Sequence, residues 1–148
     1  MKKEINLGYL SIADWKPGDR LFGDWMYGDE EYADEIRDAP ADEIVLPPNT
    51  DYTLKIDYPL KNPFVFQFTT GPAGMQRKEL VELVVDSYHR IYDEEDASVG
   101  YTAGNFPGMF NRRTTDGKYG IWGHCLDDLM VGAAFVDEGN VVTLAVDS

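Results

Sequence analysis

Apolar positions along this chain change their spacing at a few clear breaks, and each spacing predicts a different element. From Asp51, the residues Tyr52, Leu54, Ile56 and Tyr58 alternate with Asp51, Thr53, Lys55 and Asp57, the period of two expected of a strand with one buried face. Phe64, Phe66 and Phe68 repeat the alternation against Val65, Gln67 and Thr69. Pro59-Leu60-Lys61-Asn62-Pro63 lies between the runs; its prolines remove ladder donors and its length suits a reversal, so the two runs read as a hairpin. After the break Thr70-Gly71-Pro72-Ala73-Gly74 the period lengthens. Leu80, Val84, Tyr88 and Ile91 form one stripe with Val81, Val85 and Tyr92 beside it, while Arg77, Lys78, Glu82, Asp86 and Arg90 take the other face. That spacing predicts a helix from Gln76 to about Glu94.

Residues 97–118 read as loop, with Gly100, Gly104, Pro107, Gly108 and the turn pair Asp116-Gly117. A short helical turn is expected over His124 to Leu129. Val131 to Val136 and Val141 to Val146, flanking Asp137-Glu138-Gly139-Asn140, read as a second hairpin. The order predicts an α+β fold: an antiparallel sheet of two hairpins packed on one main helix. Residues 50–148 are the expected core and residues 1–49 an irregular, loop-rich acidic arm packed on it, in a single domain 1–148. Within the arm, Ile5 to Leu10 could start a strand.

Charge narrows the functional classes. The 148 residues hold 27 acidic and 13 basic side chains, a formal charge of −14. Direct nucleic-acid binding is disfavoured, because affinity for phosphates grows with the Lys and Arg that displace counterions, and an anionic membrane surface is disfavoured likewise. With 43% hydrophobic and 13% aromatic residues, the composition is that of a folding chain, of a size that supports one core. Lys2-Lys3 is followed at once by Glu4 and Asn6 without an apolar stretch, so no export signal is expected, and Leu129 to Val136 is far too short to cross a bilayer. The single cysteine, Cys125, closes no intrachain disulfide, which suits a reducing, cytoplasmic setting.

Three stretches carry a resemblance. They are Ile56-Asp57-Tyr58-Pro59-Leu60 with Asn62-Pro63, then Tyr88 through Ile91-Tyr92-Asp93-Glu94-Glu95, then Thr115-Asp116-Gly117-Lys118-Tyr119-Gly120-Ile121-Trp122-Gly123-His124 with Asp128-Leu129. Together they resemble an uncharacterised family of small proteins encoded by large DNA viruses of algae and amoebae and by assorted microbes. The resemblance spans roughly residues 50 to 148. It implies one coherent domain and an intracellular setting, and it brings no activity, ligand or catalytic residue.

Two readings of function follow from the residues. In the first, the chain is a non-enzymatic binding module. Between Asp14 and Glu43 stand eleven acidic residues and three basic ones, a local charge of −8, interrupted by large apolar side chains that a solvating tail would lack. Trp15, Trp25, Tyr27 and Tyr32 are the expected anchors of a contact with a basic protein partner, in one version as a mimic of nucleic-acid phosphates.

In the second reading a small enzyme acts on an anionic substrate at the glycine-rich loop 112–128. His124 would be general acid or base, Asp127 or Asp128 would orient it, and Arg113 would bind the anion. The simpler expectation is a histidine that holds a turn. No His/Cys set has zinc spacing, and Asp93-Glu94-Glu95-Asp96 lacks the glycine and glutamate of a calcium loop, so neither metal nor cofactor is expected. Gly117, Gly120 and Gly123 could turn backbone N–H groups toward an anion, aided by Lys118, Arg112 and Arg113, although turn geometry is the commoner use of glycine. The four acids at the expected end of the helix meet the negative pole of its dipole and require compensation, for which Arg112 and Arg113 are the obvious partners. The binding module is the preferred reading, since its charge and aromatic content are properties of the chain whereas the catalytic set is assembled by proximity.

Overall fold

The computed structural model describes residues 2–99, 115, 117–121 and 124–148. In chain order they form β1 (Lys3–Ser11), α1 (Ala33–Arg37), β2 (Ile44–Leu46), β3 (Asp51–Ile56), β4 (Phe64–Thr69), β5 (Met75–Gln76), α2 (Arg77–Val99), β6 (Met130–Val136) and β7 (Val141–Asp147), with short 3-10 turns at Asp24–Gly28, Glu30–Tyr32 and Leu126–Asp128. The fold is mixed α+β with one main helix, as the spacing of apolar residues predicts. Five strands form one sheet in the order β1-β6-β7-β3-β4, and β2 pairs with β5 in a second, small one.

The main sheet departs from the expected arrangement in two ways. β3 pairs with β4 and β6 with β7, each antiparallel, but the two pairs join through a parallel contact in which Thr53 faces Val141 and Leu54 faces Val142. The sheet is therefore mixed rather than purely antiparallel. It also gains β1, over the Ile5 to Leu10 stretch that could start a strand, although residues 1–49 as a whole were expected to form an irregular arm outside the core.

That expectation needs correcting. Leu7 and Ile12 are fully buried, and Leu10, Trp15, Leu21, Phe22 and Met26 belong to the same apolar cluster as α2. The alternation that would reveal β1 is hidden by a bulge: Ile5 and Leu7 are buried in one phase, Leu10 and Ile12 in the other, and the β1–β6 register shifts between Asn6 and Leu10. Gly8 absorbs the shift with a φ of 95°, and a Cβ there would lie 2.2 Å from the Leu21 carbonyl oxygen. The free side of β1 is covered as well, since Tyr9 N–H donates to Leu21 O (2.9 Å) and Gly23 N–H to Tyr9 O (3.1 Å). A sheet edge is thus closed by the residues that follow it in sequence.

Helix α2 buries Leu80, Val81, Val84, Val85, Tyr88, Ile91 and Tyr92, the predicted stripe. Its start is fastened by Arg77, whose nearly buried guanidinium donates to Asn6 O (2.6 Å) and Pro40 O (2.6 Å) and pairs with Glu43 (2.7 Å). One side chain so ties the helix to β1 and to the turn before β2. The helix runs to Val99, one turn past the predicted end, which puts the four acids inside its last turns.

Candidate functional site

Two places concentrate polar groups: the segment between β1 and β2, and the end of α2 with the residues that return to it. In the first, Leu21, Phe22 and Met26 are buried and pin the 3-10 turns that follow. The acids around them point outward. The Asp29 side chain accepts from Glu31 N–H (2.9 Å) and organises the second turn, while Arg37 pairs with Asp34 (2.8 Å) at the surface. Such short turns suit this stretch, whose glycines and acidic run favour no longer helix.

Of the four predicted anchors, three line this surface and one does not. Trp25 is 61% exposed and Tyr27 41%, both large for apolar side chains of a folded chain. Tyr32 is half-buried, and its ring meets that of Trp25 edge to face, with centroids 5.5 Å apart and planes at 89°. Trp15 is 7% exposed and packs in the core, so it is no surface anchor. Its position four residues beyond Ser11, whose carbonyl accepts its N–H (3.0 Å), turns it back under the sheet. The Arg20 guanidinium lies 4.2 Å from the centre of the Tyr27 ring, a cation over an aromatic face. A hollow of about 480 Å³ opens beside Trp25, lined by Tyr9, Phe22, Met26, Tyr32 and Glu35 above Gly8 and Gly132.

At the second place the sequence raised two separate questions that have one answer. Glu95 is fully buried, and its carboxylate accepts from the Thr115 hydroxyl and from the backbone N–H groups of Gly117 (2.9 Å), Tyr119 (2.7 Å), Gly120 (3.3 Å) and Ile121 (3.4 Å). The glycine-rich loop does turn its N–H groups to an anion, and the anion is the protein's own. Burial pushes the Glu95 carboxyl up, and the Thr115 and backbone donors outweigh it, leaving the group below the usual glutamate range. A Cβ on Gly117 would fall 2.6 Å from a Glu95 carboxylate oxygen, so glycine is required for the approach. The neighbouring Glu94 accepts from the Tyr119 hydroxyl (2.7 Å) and pairs with Lys118 (3.0 Å) and Arg90 (3.3 Å). The Tyr119 and Lys118 bonds hold its carboxyl low. The expected compensation by Arg112 and Arg113 concerns residues outside the described ones, as does Gly123.

The loop is also tied to the turn before β4. Leu60 bridges Ile121, and Asn62 N–H donates to Tyr119 O (2.9 Å). Sequence reasoning had both halves of this cradle, the acids and the glycines, and missed that they belong together.

The catalytic set is brought together only in part. His124 Nε2 lies 3.0 Å from the Tyr58 hydroxyl, which also bonds the Ser148 hydroxyl (2.7 Å), and His124 Nδ1 is 3.8 Å from Asp128. Asp128 in turn accepts from Cys125 N–H (3.2 Å) and closes the 3-10 turn. Asp127 is exposed beside it, and Arg113 lies outside the described residues. Tyr92 and Tyr88, their phenols pushed up by burial, donate to His124 O (3.0 Å) and Tyr58 O (2.8 Å). Burial and the Asp128 carboxylate push the Cys125 thiol up, away from the reactive thiolate. Among the described residues, no group of three or more His, Cys, Asp or Glu is placed to hold a metal ion, and no helix is long and apolar enough to cross a membrane. Comparison with protein-family models, with curated proteins and with solved structures finds no match to this chain.

Proposed function

We propose that the chain is a non-enzymatic, intracellular binding module, and that the acidic, aromatic-rich surface between β1 and β2 contacts a basic protein partner, in one version standing in for the phosphates of a nucleic acid. The observation that carries this reading is the exposure of Trp25 and Tyr27 among exposed carboxylates, on a segment that Leu21, Phe22 and Met26 anchor from below. Aromatic anchors held on a rigid base lose little entropy on docking, and a surrounding negative field speeds encounter with a positive surface.

The test is capture of a partner from host extract, followed by association kinetics with the isolated pair. The partner should be basic, and its association should slow at least about tenfold between 0.01 M and 0.15 M salt, where screening shortens from about 30 Å to about 8 Å. Tyr27→Ala combined with Glu30→Gln and Glu31→Gln should abolish capture. An unchanged rate across salt, or full capture by that variant, defeats the reading.

A small enzyme acting on an anion is the second reading, favoured by one observation: His124 stands between the Tyr58 hydroxyl and Asp128. It requires that partner capture be indifferent to the variant above and that His124→Gln remove a turnover the native chain displays.

A further inference from the structure

The hollow beside Trp25 has a floor without side chains, and the cause lies in the sheet. β1 shifts register between Asn6 and Leu10, and β6 shifts against β7 between Val131 and Ala133. Gly8 and Gly132 occupy the two irregularities on neighbouring strands; a Cβ on Gly132 would lie 3.6 Å from Gly8 O and from the Tyr9 ring. A side chain on Gly132 would press on the Tyr9 ring at the lining, while one on Gly8 would collide with the Leu21 backbone.

Over this floor the walls are rings. Trp25 and Tyr32 meet at 89°, two sides of a corner, with Tyr9 and Phe22 completing the lining. Gly23 lets the indole fold back, since a Cβ there would lie 2.6 Å from the Trp25 ring nitrogen. One carboxylate, Glu35, stands at the lining and is exposed. Aromatic faces set at right angles beside a single negative charge attract a cation through the ring quadrupoles. Arg20 over Tyr27 displays the same attraction a few residues away.

The chemistry of the lining selects among cations. A bare lysine ammonium carries three N–H donors and is strongly hydrated, so its burial needs several acceptors. The hollow offers mainly rings, Met26 and glycine backbone, with the Asn6 amide oxygen already accepting from Gly8 N–H (2.9 Å). A trimethylated ammonium has no N–H to satisfy, sheds its water readily and presents apolar methyls to the rings. At about 480 Å³ the space admits that group with part of its alkyl stem. Resting on the binding reading above, we propose that this hollow is an aromatic cage for a methylated lysine side chain of the basic partner.

The experiment is calorimetric titration of the full chain with a basic peptide carrying one trimethyllysine and with the same peptide unmodified. The modified peptide should bind about tenfold tighter or more, a preference of the size cation–π contacts supply. Trp25→Ala should erase the preference, Glu35→Gln should weaken both peptides and leave the preference standing, Gly23→Ala should reduce it by displacing the indole, and Glu82→Gln on α2 should leave it intact. Equal affinity for the two peptides overturns the proposal. So does a preference that survives Trp25→Ala, or binding to phosphatidylcholine vesicles in place of the peptide, which would assign the hollow to a lipid headgroup. Salt-dependent capture and the Tyr27 variant, which lies outside the hollow, report on the broader binding reading independently of these outcomes.

Discussion

Glu95 and Glu35 carry the same side chain and do opposite work. Glu95 is wholly out of solvent and faces the Thr115 hydroxyl and four backbone N–H groups of one loop. Glu35 stands exposed near Trp25, among acids whose described partners, such as Arg37 for Asp34, are surface residues. The first is a structural anion that folds a loop around itself. The second contributes to a field that reaches outward and that salt erodes. The contrast teaches that a count of acids does not assign them; the donors within reach do, and those donors are mostly backbone.

The strongest way to break the contrast is to remove the buried anion. Glu95→Ala should cost about 3 kcal/mol in urea unfolding, because the loop's N–H groups lose an ionised acceptor where water does not replace it. Glu95→Gln, which keeps an acceptor oxygen, should cost about half as much. The folded carboxyl lies below its ordinary value of 4.5, so its contribution is complete above that pH and fades as pH falls through the lower folded value. The stability gap between wild type and Glu95→Gln should therefore be constant at neutral pH and close on acidification. A gap that widened in acid would refute the cradle.

A gentler strike leaves the anion and crowds its socket. Gly117→Ala places a methyl 2.6 Å from the Glu95 carboxylate and should cost about 2 kcal/mol, within the usual range for overpacking. Tyr58→Phe removes a hydroxyl bonded to His124 and Ser148 and should cost about 1 kcal/mol. At the bottom of the scale, Glu30→Gln with Glu31→Gln should shift stability by less than about 0.5 kcal/mol while visibly flattening the salt dependence of partner association. A large stability loss there would mean that the outer acids are structural too, and the contrast would collapse.

Regular period made much of the fold legible. β3, β4, the α2 stripe, β6 and β7 lie within a few residues of where Tyr52 to Tyr58, Phe64 to Phe68, Leu80 to Tyr92 and the valine runs place them. β1 was legible only as a strand that Ile5 to Leu10 could start, because Gly8 lets the buried phase slip by one and Leu7 and Leu10 no longer share a simple alternation. β2 and β5, at three and two residues, are too short for any period to emerge. The outward aromatics Trp25 and Tyr27 were legible from the acids beside them, but nothing in the spacing of Trp15 tells it apart from Trp25; only its return under the sheet does. The Glu95 cradle was legible in halves. Its donors lie 20 to 26 residues further on, and all but the Thr115 hydroxyl are backbone groups, which carry no sequence signature.

The placing of β1 bears on how the molecule is made. Lys3 faces Val136 and Ser11 faces Met130, so β1 waits for a partner strand that is synthesised well after it. Among the described strands β6 and β7 follow all the others in sequence, and until they emerge β3–β4 and β1 have nothing between them. Pairings this remote in sequence close slowly.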